Sequence, residues 1–185
     1  MNPEFQTRRA AQVAAWFALR QGGRINVLKL TKLLYLSERR HLDLYDEPMT
    51  YDRLVSMDHG PVPSICLNLM NGTLEHPDWA EFITDRGGYD LGVVGENTNP
   101  EQFDQLSRAD HRLLEEIWAQ FGHMSKYELR DYTHEACHEW EDPDGSSLPI
   151  PYERVLKFLG KSDVEGLVAD IKGWASTQRA LAACE

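Results

Sequence analysis

The sequence predicts a mainly α fold: a single compact helical domain with a small antiparallel β-hairpin or ribbon, helix-dominated within the α+β class. Three observations carry this. From Val27 to about Tyr45, apolar residues recur at helical spacing around most of a helix's circumference, the pattern of a helix buried between other elements. Downstream, Ser107, Ser125 and Ser162 are each followed three residues later by a carboxylate (Asp110, Glu128 and Glu165), which is how helices begin. One stretch, 81–94, reads instead as two extended segments around a Gly-Gly turn. A chain of 185 residues with 42% apolar and 26% charged side chains buries roughly 70% of the surface its unfolded form exposes. It needs no disulfide or metal to hold it. The expected organisation is one domain over residues 1–185, with 1–159 as core and 160–185 as a C-terminal helix packed on it.

In order, Glu4 to Arg20 forms a first helix whose Ala10, Val13, Ala14, Phe17 and Ala18 make a small-residue and aromatic stripe suited to close packing; Gly22-Gly23 ends it. Asn26 caps the central helix, with Val27, Leu30, Leu33, Leu34 and Leu44 on one wide face and Leu28, Tyr35 and Leu42 on another. A polar stripe of Lys29, Lys32, Arg39 and Arg40, with Leu36 among them, is left over, either as the first candidate partner surface or as an internal ion-pair set with the chain's surplus carboxylates. Residues Arg53 to Met57 suit a short strand or a brief helix. His59-Gly60-Pro61-Val62-Pro63 reads as a rigid turn, because the residue before a proline is pushed from the helical region and each proline lacks a donor. A helix from Pro63 or Ser64 to Met70 stops at Asn71-Gly72, and the hairpin pairs 81–84 with 89–94. A lone hairpin is marginal in water, so it should lie on the helices or pair with the strand near Arg53. Gly95 to Gln105 is a polar connection. Two capped helices follow, one with Leu113, Leu114, Ile117, Trp118 and Phe121, the next with Leu129, Tyr132 and Thr133. Pro151 opens a short helix through Leu159, and the last helix buries Val164, Leu167, Val168, Ile171 and Ala175.

The net charge of −11 disfavours direct binding of nucleic acid, whose phosphates repel an acidic surface, and favours a basic protein partner; it is equally a solubility device. Cys66, Cys137 and Cys184 are scattered and odd in number, as expected of reduced thiols in a cytoplasmic protein. No signal peptide and no apolar run approaching about 18 residues is present, so no membrane partner is expected.

The run Lys29-Leu30-Thr31-Lys32-Leu33-Leu34-Tyr35, followed by Leu44-Tyr45, Pro48 and Gly60-Pro61-Val62, resembles the signature of the Panacea domain of SocA-like antitoxins and related phage-associated proteins. The later segment Leu129, Thr133, His134 and Trp140 resembles that family's Leu, Ser/Thr-His and Trp pattern, with Glu139 where the family usually has proline; Ser56-Met57 stands where it usually has Ala-Trp. The resemblance implies a non-enzymatic protein without cofactor: an antitoxin of a toxin–antitoxin system that neutralises a cognate toxin by direct contact. It also implies an alternative, a proteolytic adaptor delivering the toxin to a ClpXP-type protease.

A rival chemistry is spelled by His134-Glu135-Ala136-Cys137-His138. His-Glu-x-x-His on a helix sets two imidazoles one turn apart as zinc ligands, His134 and His138, with Glu135 as general base of a metallohydrolase. No third histidine ligand follows, and Pro143 ends the helix soon after. His59 reads as a functional imidazole or as a turn residue bonded to backbone, and Cys66 and Cys137 as nucleophiles or as small core residues. Trp79, in His76-Pro77-Asp78-Trp79, belongs either to a contact loop or to a packed loop tip.

Overall fold

The computed structural model describes residues 5–95 and 99–182, with no account of the side chains of Ala175 and of 178–182. The expected role of Ala175 and the thiol of Cys184 therefore lie outside the described residues. Eight helices dominate these: α1 (Thr7–Arg20), α2 (Val27–Tyr45), α3 (Ser64–Met70), α4 (Pro77–Ala80), α5 (Arg108–Phe121), α6 (Lys126–Ala136), α7 (Tyr152–Phe158) and α8 (Val164–Ala182). The strands are β1 (Arg24–Asn26), β2 (Leu54–Met57), β3 (Gly60–Pro63), β4 (Asp90–Gly92) and β5 (Leu148–Pro149). This is the helix-dominated α+β class the sequence predicts. Among the described residues no helix is long and apolar enough to cross a membrane.

The axis is α2. The Asn26 side chain accepts a hydrogen bond from the Leu28 N–H at 3.1 Å and starts the helix, and Asp46, at φ 60°, ends it. Leu30, Leu33, Leu34, Tyr35 and Leu42 are all buried, because α1, α5, α6 and β3 pack around the helix on successive sides. Full burial of each such leucine contributes about 1.5–3 kcal/mol. On α1, Ala10, Ala11, Ala14, Ala15 and Ala18 are buried beside Trp16 and Phe17. The alanines let the helix come close, and the two rings, edge to face at 5.3 Å, fill the remaining space.

Two sheet readings are corrected. Gly60-Pro61-Val62-Pro63 is an edge strand, and the turn is the two residues Asp58-His59 before it. In the register Met57↔Gly60, Ser56↔Pro61, Val55↔Val62 and Leu54↔Pro63, hydrogen-bonded and non-hydrogen-bonded pairs alternate. Both prolines fall at non-bonded positions of an edge, so their missing donors break no ladder. The second correction concerns β4, whose main partner is β1, with Ile25 opposite Leu91. The expected hairpin is itself present as bridges at Ile83↔Val93 and Gly87↔Asp90, with the Thr84 N–H donating to the Gly92 carbonyl at 3.0 Å and the Val94 N–H to the Phe82 carbonyl at 2.9 Å. The segment near Arg53 pairs elsewhere, in the sheet order β3-β2-β5.

Two buried carboxylates tie loops to this frame. Glu38 of α2 accepts from the N–H groups of Met49 and Thr50, each at 2.8 Å. Asp52 accepts from those of Ile65 and Cys66, also at 2.8 Å, and so caps α3, whose own N-cap Pro63 offers no side-chain acceptor. Asp163 rather than Ser162 caps α8, accepting from the Gly166 N–H at 3.0 Å. Of the apolar face expected there, Ile171 is buried while Val164, Leu167 and Val168 are half-buried.

Candidate functional site

The segments that carry the sequence motifs meet where α2, the β2–β3 hairpin and α6 pack together. At the centre, the Lys32 Nζ donates to the Pro61 carbonyl at 2.9 Å, with the whole side chain buried. Burial pushes this amine down to about 7. Gly60 sits against it at φ +90°, and a Cβ there would come within 2.9 Å of the Lys32 Nζ, the Thr133 Oγ1 and the His134 ring. Glycine is thus required twice, by the left-handed backbone and by the close approach. His134 lies flat on Trp140, centroids 4.3 Å apart and planes within 11°. Trp140 in turn donates its indole N–H to the Met57 carbonyl at 3.0 Å. Thr133, His134 and Trp140, far from Gly60 in sequence, are therefore the wall against which the Asp58-His59 turn is held.

One layer deeper, Glu139 is fully buried and accepts from the Tyr35 hydroxyl at 2.7 Å and the Arg39 Nε at 2.8 Å. Its second oxygen and the His134 Nε2 are buried atoms without a hydrogen-bond partner among the described residues. The negative charge raises the Tyr35 hydroxyl further above its ordinary value after burial itself. Cys137, beside this group, is pushed up to about 12 by burial, and burial also raises Cys66. Both thiols are kept protonated, as core residues are and activated nucleophiles are not.

The polar stripe of α2 does not face solvent as one surface. Lys29 is buried with its Nζ on the Gly122 carbonyl at 2.7 Å and over the Trp118 ring. Lys32 and Leu36 are buried as well. Arg39 is half-buried on Glu139, and Arg40, also half-buried, pairs with Asp43 at 2.7 Å and Glu116 at 3.3 Å. A solvated reading fails because long lysine stems can fold inward wherever a backbone carbonyl waits for the ammonium. Trp79 is the packed alternative rather than the contact loop: it lies on the short helix α4, buried, where α4 meets α1.

The zinc geometry is not formed. Helix α6 ends at Ala136 and Cys137 turns away at φ −100°, ψ 79°, so His138 leaves the helix face that holds His134 and stands near Phe158. Among the described residues no group of three His, Cys, Asp or Glu side chains is placed to hold a metal ion.

On the solvent side of the turn opens a cleft of about 610 Å³. Its floor is apolar, from Val27 and Leu28 of α2, Val62 of β3 and Leu67 of α3. Exposed His59 stands on one lip, and Tyr89 and Tyr127 on the other. Sequence reasoning missed this cleft, since its walls come from stretches of the chain that share no periodicity.

A family model described as Antitoxin SocA-like, Panacea domain, matches residues 30–141, more than half of the chain. No curated protein and no solved structure matches it.

Proposed function

The chain belongs to the family of SocA-like antitoxins with a Panacea domain, and from that premise we propose that it is an antitoxin that binds a cognate toxin protein and blocks it by direct contact. The observation that supports this reading is the inward direction of the motif. Lys32 and Trp140 donate inward to the Pro61 and Met57 carbonyls, Glu139 accepts from Tyr35 and Arg39, His134 lies on Trp140, and Gly60 sits against Lys32. They build a rigid frame rather than a set of groups aimed at a substrate. A pre-formed frame lowers the ordering cost of binding, and a standard interface of roughly 1,200–2,000 Å² fits on a body of this size.

The test is the product of the reading frame beside this gene. Expressed alone it should stop growth, and growth should return with this chain, the two proteins eluting as a 1:1 complex. Rescue without a complex would overturn direct neutralisation. The adaptor alternative separates in the same strain: a toxin whose half-life shortens when this chain is present, and only while a ClpXP-type protease is active, is being delivered rather than held.

A further inference from the structure

The rim of the cleft beside the Asp58-His59 turn gathers cations on a molecule of net negative charge. The chain carries 30 carboxylates against 19 lysines and arginines, yet three cations gather here on two tyrosines. Arg86 lies 5.4 Å from the Tyr89 ring centroid, Lys126 lies 5.8 Å from Tyr89 and 5.1 Å from Tyr127, and Arg130 lies 5.4 Å from Tyr127. The rings are 72% and 55% exposed, the largest exposures among the bulky apolar and aromatic side chains described. Arg130 is paired with Asp131 at 2.6 Å, and Arg86 donates to the Gly88 carbonyl at 2.6 Å. Lys126 forms no ion pair among the described residues. The one carboxylate in the lining, Asp58, accepts from the Gly145 N–H at 3.2 Å, which ties it to the loop behind.

Resting on the antitoxin reading, we propose that this cleft is the docking site for a segment of the toxin that presents an apolar side chain next to a carboxylate. The apolar group would fill the floor over Val27, Leu28 and Leu67, and the carboxylate would meet Lys126 between the two rings. Exposed tyrosines and arginines around a desolvated apolar centre are the composition of interface hot spots. A cation already seated on aromatic faces gives up less freedom when it binds an anion. The acidic body excludes the other anionic occupant, because a nucleic-acid strand longer than the cleft meets repulsion all round it. The toxin can still be basic overall; the cleft then fixes which of its segments docks, as complementary charges fix register.

The experiment uses the full chain and the product of the neighbouring reading frame, with affinity read by calorimetry for wild type, Lys126→Glu, Tyr127→Ala and the distant Arg112→Glu. Lys126→Glu and Tyr127→Ala should weaken binding by about 10- to 100-fold with unchanged melting temperature, Arg112→Glu by less than about twofold. A carboxylate-to-lysine change in the toxin should restore affinity to Lys126→Glu alone. Tight binding by wild type and by both rim variants would overturn the site while leaving the antitoxin reading intact. No binding by wild type would overturn both. A single-stranded RNA oligonucleotide that binds wild type but not Lys126→Glu, or a wild-type dimer that Lys126→Glu dissociates, would likewise overturn it, assigning the cleft to nucleic acid or to a second copy.

Discussion

Lys32 is a base in a place made for a neutral amine. In the folded chain burial holds it at about 7, against 10.5 when unfolded. Between those values the unfolded chain keeps a proton that the folded chain has shed, so stability rises as pH climbs from 7 toward 10.5. Below the lower value both states are charged and the cost of burying the ammonium stands in full. The raised thiols of Cys66 and Cys137 act in the opposite sense above their unfolded value of 9.0, while Lys29, also lowered by burial, adds in the same sense as Lys32. Chemical denaturation should show wild type gaining on the order of 2 kcal/mol from near pH 7 to near pH 9. Lys32→Met, which keeps the length of the stem and drops the titrating group, should lose most of that gain. An unchanged slope in the variant would assign the pH dependence to other groups.

Among the elements, α8 is the least committed to the core. Its contact is mainly with α7, and among the described side chains of its apolar face only Ile171 is buried. A chain ending at Gly160 should therefore still unfold cooperatively, with the melting temperature lowered by roughly 5–15 °C for the few kcal/mol of apolar contact removed. A truncated chain that does not fold would make α8 part of the core. How legible each element was in the sequence follows the range of the interactions that fix it. Asn26, Ser107 and Ser125 cap helices through bonds within three residues, and those starts were readable. Strand β1, three residues long and paired with residues more than sixty positions away, was not. Gly60-Pro61-Val62-Pro63 read as a turn because prolines refuse a ladder, and only the register shows both of them where no ladder bond is needed. At the site, the resemblance found Gly60, His134 and Trp140. The direction of Lys32 stayed hidden, since its acceptor lies 29 residues on.

At the scale of the whole molecule the net charge of −11 acts over distance rather than at any contact. Association with a basic toxin should be fast at low salt and slow as ionic strength rises, while dissociation, governed by the buried centre, should change far less. Stopped-flow mixing across a salt series reads both; a flat association rate would remove steering from the account. The family match spans residues 30–141, so α1 precedes it and β5, α7 and α8 follow it. Of these flanks, α1 packs against α2, and β5 completes the sheet beside the motif hairpin.

The cleft borrows its lining from five stretches, near residues 26–31, 57–67, 86–89, 126–127 and 145–146. No peptide released by a protease would carry more than one edge of it. Whatever sits there would be freed all at once when the body melts, which is the behaviour of a latch rather than of a tether.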